Sequence, residues 1–292
     1  MPDVLIYCPL NPTIPGIDNR TLESIFAIEW SGKADIVFGK HDNATGRNQD
    51  ITDKYNQARD LVLSNGYDAL FTIEADMIPP PHSLERLFGV GVDVAYGLYV
   101  SRHGPHPWLV FSNVTENVRG SVQMGNTWDE RESLWGNVID TAGVGLGCTL
   151  IQREVLEAIP FRVADKWIAN DWYFALDVAE KGFTQAHDCG VVCGHIDNYR
   201  VLWPDVANGY RVTDEEEINI GELLNMANGK YIAMTVLDLG DRFAQPGEEV
   251  TLDEEIAKVL LKKRFIKPEQ ALRVNPAYGR DKEKEVKDDS NN

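Results

Sequence analysis

Short apolar runs alternate with amphipathic segments along the first third of the chain, which predicts strands separated by helices. The apolar runs read as buried strands at residues 3–10, 34–39, 67–73 and 92–100. Helices are predicted between them, at residues 19–30, 50–66 and 80–89. The middle helix has Thr52 as a candidate cap and ends at Gly66. Strands joined by helices of this length indicate an α/β fold with a mainly parallel sheet, in which ligands collect at the carboxyl ends of the strands.

The pattern is interrupted and then resumes in the second third of the chain. Residues 101–142 form a polar stretch with tryptophans that predicts a hairpin or a mobile loop. Residues 143–160 predict a glycine-rich turn, a strand and a helix, and residues 170–183 predict a helix that stops at Gly182. Residues 189–196 read as one further buried strand.

Composition shifts after about residue 230, where a strand, a Pro-Gly turn, a second strand and a helix capped by Asp253 are predicted. The final residues are almost entirely charged and polar, which is typical of disorder. The sequence therefore predicts a large domain at residues 1–229, a small α+β unit at 230–274 and a disordered tail at 275–292.

The charge balance restricts the partners. The chain carries 28 Lys and Arg against 46 Asp and Glu, a formal net charge of -18. Such a charge repels nucleic acids and anionic membranes, and a phosphorylated small molecule would need a metal ion, a helix N-terminus or arginines to bind. No apolar stretch reaches the roughly 18 residues of a membrane span, and the start lacks signal-peptide features. We therefore expect a cytoplasmic protein whose four cysteines are reduced.

Two acidic residues end an apolar run in the stretch "YDALFTIEADMIPPP", residues 67–81. Glu74 and Asp76 stand one residue apart just before three prolines, where a strand turns into a loop. There the two carboxylates can converge on one divalent cation, which would relieve their repulsion. Magnesium and manganese suit such a site because they combine one or two carboxylates with substrate phosphates. The alternative is that both acids are solvated loop residues.

Two further residues carry candidate chemistry. Asp171, in "NDWYF", is predicted at a helix N-terminus, where it is either a cap or a general base that takes a proton from an incoming hydroxyl. His195 follows a buried strand and is either a neutral metal ligand or a hydrogen-bonded histidine. The stretch "HDCGVVCGH", residues 187–195, also suggests a zinc site. However, its two cysteines and two histidines span too much length to form a tetrahedral site.

The order of these elements resembles the GT-A glycosyltransferases, especially the family-2-like nucleotide-diphospho-sugar transferases. The resemblance covers roughly residues 3–200. It rests on an opening strand with Pro9, a helix with "NQARD", the Asp-x-Asp-like "EAD", the glycine-rich "GVGLGCTLIQREVLEAIPF", and "NDWYFALDVAEKGF" followed by "GHI". It implies a Rossmann-like, mainly parallel sheet flanked by helices, and a transferase that moves a sugar from a UDP- or GDP-sugar to a glycan or other hydroxyl acceptor.

The resemblance also implies roles for individual residues. In such enzymes the Asp-x-Asp motif holds Mn²⁺ or Mg²⁺ on the donor diphosphate, which maps to Asp76 and Glu74, with His195 completing the metal site. Asp171 would be the base of an inverting displacement. Because Asn170 replaces the first acid of the family's Glu-Asp pair, a retaining reaction stays open. The donor would be contacted by Pro9, Asn11, Asp42, Arg59 and Glu74.

Several other residues have both a functional and a structural interpretation. Arg102 would assist at the phosphate or the acceptor, or it is a solvated arginine. Glycines would let the backbone approach a sugar, or they form a turn before a buried strand; these are Gly143, Gly145 and Gly147. Tryptophans would stack on sugar rings or belong to the core; these are Trp108, Trp135 and Trp172.

Two other functions compete with glycosyl transfer. A sugar-phosphate nucleotidyltransferase would share the architecture, but its glycine-rich, arginine-containing loop is missing after the first strand, where the chain has "PLNPTIPGIDNR". A non-catalytic glycan-binding or structural module on a degenerate transferase fold would tolerate Glu74 and Asn170. The C-terminal unit resembles small hairpin-and-helix modules appended to bacteriophage proteins, which adds the hypothesis of a phage protein in the host cytoplasm.

Overall fold

The computed structural model of the chain describes residues 1–10, 16–39, 47–104, 106–116, 122–126, 131–143, 145–162, 170–198, 200–213, 229–234, 237–239, 242–245, 247–262 and 265–268. Two of the predicted donor contacts, Asn11 and Asp42, lie outside these residues, as does the tail predicted at 275–292.

Helices and strands alternate through the described chain. The helices are α1 (Asn19–Phe26), α2 (Arg47–Asn65), α3 (Ser83–Gly89), α4 (Arg131–Leu134), α5 (Arg153–Ala158), α6 (Asn170–Glu180) and α7 (Glu254–Lys262). The strands are β1 (Val4–Pro9), β2 (Ala34–Gly39), β3 (Ala69–Ile73), β4 (Met77–Ile78), β5 (Val94–Leu98), β6 (Phe111–Glu116), β7 (Val122–Asn126), β8 (Val138–Asp140), β9 (Cys148–Gln152), β10 (Gln185–Val192), β11 (Gly194–Asp197), β12 (Arg200–Asp205), β13 (Gly209–Thr213), β14 (Lys230–Ala233), β15 (Leu237–Asp238), β16 (Phe243–Ala244), β17 (Glu249–Thr251) and β18 (Ile266–Pro268). Over the residues that the structure describes, no helix has both the length and the apolar character needed to cross a membrane.

A mixed sheet forms the centre of the fold. Counted over the described residues it has seven strands, in the order β2-β1-β3-β9-β5-β10-β8. β1 pairs in parallel with β2 and β3, and β5 pairs in parallel with β10. β9 lies between β3 and β5 and runs antiparallel to both, and β8 is antiparallel to β10 at the edge. The protein therefore has a mixed α/β fold in which most strands of the central sheet share one direction.

The antiparallel β9 is a departure from the mainly parallel sheet that the sequence predicts. β9 begins directly after the glycine-rich turn, and the Gly147 carbonyl of that turn accepts a hydrogen bond of 3.0 Å from the Glu74 N–H. Glu74 stands at the carboxyl end of β3. A strand that starts at the carboxyl end of its neighbour and pairs with it must run in the opposite direction. The register follows, since Ile73 lies opposite Cys148.

Helices cover both faces of the central sheet because side chains alternate along its strands. On one face, Ile6 of β1 packs in a cluster with Ile25 of α1 and Leu84 of α3. On the other face, Leu5 packs in a cluster with Val62 of α2 and with residues of α5 and α6. Burial of large aliphatic side chains contributes about 1.5–3 kcal/mol each, so these two clusters stabilise the three-layer arrangement.

α2 begins earlier than the sequence predicts. The helix starts at Arg47, so Thr52 lies inside it and is buried, and the prediction of Thr52 as its cap is wrong. A local capping pattern could not show that the preceding turn is helical as well. The predicted end is confirmed, because the helix stops at Asn65 and Gly66 takes a φ of 76°.

A second, antiparallel sheet stands beside the central one, in the order β13-β12-β11-β4. The sequence predicts one strand over residues 189–196, but β10 ends at Val192 and β11 begins at Gly194, so that prediction is wrong. The pairing of β10 with β5 shifts register between Asp188 and Val192. Such a bulge bends a strand away from its sheet. The chain then pairs with β4, which follows the end of β3.

The C-terminal residues form a hydrophobic cluster of their own. β14 pairs with β17 and β18, and β15 pairs with β16. Asp253 caps α7 as predicted, because its Oδ1 accepts the Ile256 N–H at 2.9 Å. A bridge between Gly16 and Leu237 connects this cluster to the segment that precedes α1.

Candidate functional site

The predicted acids lie where the two sheets meet. Glu74 follows β3 directly, and Asp76 precedes β4. β4 pairs with β11 so that Met77 lies opposite His195, and the Ile196 N–H donates to the Asp76 carbonyl at 2.8 Å. The register of a two-residue strand thus brings Asp76 and His195 together from distant parts of the sequence.

Asp76 has two basic neighbours. Its Oδ2 lies 2.6 Å from Arg102 Nη1, and its Oδ1 lies 3.8 Å from His195 Nε2. His195 Nδ1 lies 2.7 Å from the Val100 carbonyl oxygen. Because a carbonyl only accepts hydrogen bonds, Nδ1 donates, and in the neutral imidazole Nε2 carries the lone pair. A carboxylate and a lone pair at this separation leave room for a cation between them.

The separation of Asp76 and His195 is compatible with a divalent cation between them. His195 Nε2 is buried and makes no hydrogen bond within the described chain. Its 3.8 Å separation from Asp76 Oδ1 is too long for a hydrogen bond, yet it suits two ligands that each bind one ion at about 2.1 Å. The described residues contain no group of three or more His, Cys, Asp or Glu side chains that could hold a metal ion. A cation here would therefore need further ligands, such as water molecules.

Glu74 is held by a buried tyrosine. Tyr55 of α2 donates its hydroxyl proton to Glu74 Oε1 at 3.1 Å. Burial, followed by the charges of Asp76 and Asp171, raises the pKa of Glu74 to about 7. The contacts of the two acids differ. Glu74 accepts a hydrogen bond from Tyr55 of α2, whereas Asp76 lies beside Arg102 and His195 of the second sheet. Direct binding of a metal by Glu74 stays a prediction.

Asp171 lies in the first turn of α6. Its Oδ1 accepts the Trp172 N–H at 2.9 Å, one of the N–H groups of the first turn that have no partner within the helix. Burial nevertheless raises the pKa of Asp171 to about 6. Its charge also contributes to the raised pKa values of Glu74 and Tyr55. Because the charges of Asp76 and Asp171 both act on Glu74, we call these three acids the acid cluster. Within it, Asp171 is a carboxylate that is ionised at neutral pH and has a pKa suited to accepting a proton.

The glycine-rich turn makes room for two buried tyrosines. Gly143 and Gly145 have positive φ angles of 61° and 90°. A Cβ at Gly143 would overlap with the ring of Tyr96, and a Cβ at Gly145 would overlap with the hydroxyl of Tyr99. Gly147 donates its N–H to the Tyr99 hydroxyl at 3.3 Å. These contacts support the structural interpretation of the glycines, a turn packed against tyrosines before a buried strand.

The other predicted donor contacts that the structure describes lie on flanking elements. Pro9 ends β1 opposite Gly39 and is buried. Arg59 lies on α2, and its Nε donates to the Leu156 carbonyl of α5 at 2.6 Å, so its guanidinium joins two helices. Their roles at a nucleotide stay predictions.

The predicted tryptophans differ in exposure. Trp108 is fully buried and donates its indole N–H to the Gly209 carbonyl, so it belongs to the core. Trp135 is 41% exposed and packs on Trp108 with ring centroids 5.9 Å apart. Trp172 is partly exposed beside Asp171.

The stretch from His187 to His195 is divided among different parts of the fold. Cys189 and Cys193 belong to two separate hydrophobic clusters. His187 is buried and stacks on Tyr96 with centroids 5.0 Å apart. The bulge in β10 separates these side chains, since it disrupts the simple alternation of a strand.

Sequence reasoning missed the partners of the acids. From the sequence, Arg102 is either a phosphate or acceptor contact or a solvated arginine. In the structure its side chain forms an ion pair with Asp76 and is 30% exposed. Tyr55 and Tyr99 carry no local functional signal. Both are buried, and the Tyr99 ring meets His195 edge to face with centroids 5.7 Å apart. These contacts depend on strand register, which the sequence pattern does not reveal.

Comparisons with known proteins add little to this geometry. No protein-family model matches the chain, and no curated protein sequence matches it. Among solved structures, the crystal structure of A197 from STIV matches with 18% sequence identity and a TM-score of 0.49. The match covers 74% of this chain and 97% of that chain.

Replacing Glu74 with glutamine is expected to stabilise the protein above neutral pH in the absence of divalent metal. The folded-state pKa of Glu74 is raised from 4.5 to about 7, so its contribution to stability is fully present below pH 4.5 and is lost as the pH rises through about 7. That shift corresponds to about 3 kcal/mol of unfolding free energy. Glutamine keeps an acceptor for Tyr55 without the charge. Urea unfolding of both proteins at several pH values measures the difference.

Glu157→Gln is the matched control for this experiment. Glu157 is exposed and pairs with Arg153, so its replacement should leave the pH dependence of unfolding unchanged. Parallel pH dependences for wild type and Glu74→Gln would show that burial of Glu74 does not destabilise the folded state.

Proposed function

We propose that this protein is a metal-dependent glycosyltransferase of the GT-A type, which moves a sugar from a nucleotide-diphosphate donor to a hydroxyl acceptor. The observation that carries the proposal is the pairing of Asp76 with His195 at the carboxyl end of β3 in a mixed α/β fold, with the charge of Asp171 acting on the neighbouring Glu74. Open α/β sheets bind ligands at the carboxyl ends of their strands. Co-directional strands with helices on both faces support the GT-A assignment in particular.

Asp76 and His195 are the residues that would hold Mn²⁺ or Mg²⁺, with Glu74 close by. When bound, the cation supplies positive charge that stabilises the negative charge on the departing diphosphate. Arg102 already lies 2.6 Å from Asp76 and offers a guanidinium to the same phosphates. This combination explains how a chain with a net charge of -18 binds an anionic donor.

Asp171 is the proposed base. With a pKa raised to about 6 it is ionised at neutral pH and takes the proton of the acceptor hydroxyl. The acceptor oxygen forms a bond to the anomeric carbon while the bond from that carbon to the donor phosphate oxygen breaks, and the nucleoside diphosphate leaves with the electron pair. Attack opposite the leaving group inverts the anomeric centre, which is the outcome that we favour.

Binding and hydrolysis of UDP-, GDP- and other nucleotide-sugars, measured with and without Mn²⁺, test this function. We expect one donor to bind in a metal-dependent way and to be hydrolysed slowly without an acceptor. If a folded protein binds no donor under any metal condition, the transferase assignment fails, and a non-catalytic glycan-binding or structural role takes its place.

A further inference from the structure

A groove with two tryptophans lies on the face of the second sheet that points away from the acids. His195 of β11 lies opposite Leu202 of β12, which places the preceding Gly194 beside Trp203. A Cβ at Gly194 would lie 2.8 Å from Trp203 Cζ2, so the missing side chain makes room for the indole. Because neighbouring residues of a strand face opposite sides, Trp203 and His195 lie on different faces of the sheet.

Two cavities meet at Trp203. One has a volume of about 540 Å³ and is lined by Trp135, Trp203, Asp205 and Arg211, among others. The other has a volume of about 470 Å³ and is lined by residues 78–81 and by residues of α1. Trp203 and Val192 line both cavities, so the two lie next to each other, and we call the pair the groove. Each volume falls in the range of about 300–1,000 Å³ that is typical of ligand sites.

Both tryptophans of the groove are held in place. Trp135 packs on the buried Trp108, yet 41% of its surface is exposed. Trp203 donates its indole N–H to Thr213 Oγ1 at 3.1 Å. The Arg211 guanidinium lies 5.3 Å from the centre of the Trp203 ring. Rings that are fixed before binding lose little conformational entropy when a ligand stacks on them.

The charges of the groove favour a neutral ligand with many hydroxyl groups. The first cavity carries one acid and one base, Asp205 and Arg211. The second cavity also carries one of each, Glu23 and Arg20, and the Arg20 guanidinium is in turn neutralised by an ion pair of 2.8 Å with Asp18. Carboxylates accept hydrogen bonds from hydroxyls and guanidinium groups donate to them, whereas a chain with a net charge of -18 repels anionic polymers. Indole faces in turn match the apolar C–H faces of pyranose rings.

We propose that this groove is a carbohydrate-binding site that takes a segment of a neutral oligosaccharide, with Trp135 and Trp203 each stacking on a sugar ring. The site is separate from the acid cluster, and it requires neither a nucleotide nor a metal ion. It extends the proposed function by giving the protein a glycan anchor, and it stands independently of glycosyl transfer.

An array of neutral and anionic glycans, probed with the full chain in the presence of EDTA, tests the site. We expect retention on at least one class of neutral glycan. Isothermal titration with a soluble hexasaccharide of that class should then show that Trp135→Ala and Trp203→Ala each weaken binding by about tenfold or more. Trp203→Phe keeps an aromatic ring and should recover most of the affinity, which separates stacking from a loss of folding.

Two control variants make the result specific. Phe26→Ala removes an apolar side chain that is 65% exposed and lines neither cavity, and it should bind like the wild type. Asp76→Asn changes the opposite face and should also bind like the wild type. Retention of no neutral glycan by the folded protein, or binding that the two tryptophan variants leave unchanged, overturns the proposal. Because no donor is present, failure here is distinguishable from failure of the transferase assignment.

Discussion

Asp76→Asn is expected to abolish metal-dependent turnover of the donor, lowering kcat/KM by about a hundredfold to a thousandfold. The substitution preserves the shape of the side chain but removes the charge that faces His195 and Arg102. It also leaves Arg102 without the carboxylate that lies 2.6 Å from it. The measurement is steady-state release of the nucleoside diphosphate at saturating Mn²⁺, together with titration of Mn²⁺ into the protein with and without donor.

Asp68→Asn is the matched control for Asp76→Asn. Asp68 precedes the opposite end of β3, where its Oδ2 accepts the Asp3 N–H at 2.7 Å, and an asparagine oxygen can make the same contact. We expect this control to retain full turnover. Undiminished turnover by Asp76→Asn would show that the Asp76 carboxylate is not part of the active site.

Replacing Arg102 tests whether the positive charge at the diphosphate comes from this residue or from a metal ion. If the wild type turns over its donor in the presence of a chelator and Arg102→Gln does not, the positive charge at the diphosphate comes from Arg102 and not from a metal ion. The ion pair between Arg102 and Asp76 makes this comparison informative, because the guanidinium already occupies one side of the carboxylate.

The strands and helices near the amino terminus were predictable because their signals are local. Apolar runs bounded by turn residues match β1, β2, β3 and β5 closely. The direction of β9 was not predictable in the same way. It depends on where the glycine-rich turn packs. The hydrogen bond from the Glu74 N–H to the Gly147 carbonyl and the packing of Gly145 against Tyr99 fix that position.

The candidate site was predictable as a set of residues but not as a geometry. A carboxylate pair after a buried strand and a histidine after another strand are visible in the sequence. Their meeting depends on β4, a strand of two residues that has no signal of its own. The ion pair of Arg102 and the hydrogen bond from Tyr55 to Glu74 join residues that only the folded chain brings together.

The acid cluster combines features that oppose stability. Burial raises the pKa of Asp171 to about 6, and burial followed by the charges of Asp76 and Asp171 raises the pKa of Glu74 to about 7. Groups whose ionised forms are destabilised by the fold reduce stability as the pH rises, so a chain gains nothing structurally from this grouping. Carboxyl groups with perturbed pKa values are concentrated at functional sites, and this supports the chemistry that we propose for them.

Asp171→Asn is expected to lower kcat about a hundredfold to ten-thousandfold while leaving metal-dependent donor binding intact, because it removes the proposed proton acceptor and not the donor site. In the wild type, kcat/KM should rise with pH through about 6, since burial raises the pKa of Asp171 to about 6 and only the ionised carboxylate accepts a proton. Below that pH the base is protonated and turnover falls. The residual turnover of Asp171→Asn should lack this rise in kcat/KM near pH 6, the acidic limb of the pH profile.

Asp177→Asn, on the same helix, is the matched control, because Asp177 pairs with Arg162 through two exposed hydrogen bonds. It should keep both the rate and the pH dependence of the wild type. Glu74→Gln should keep the limb near pH 6 as well, which separates the titration of Asp171 from that of Glu74, whose pKa is raised to about 7. An Asp171→Asn enzyme with an unchanged rate would assign this carboxylate to capping α6 through the Trp172 N–H, the alternative that its position in the first turn already supplies.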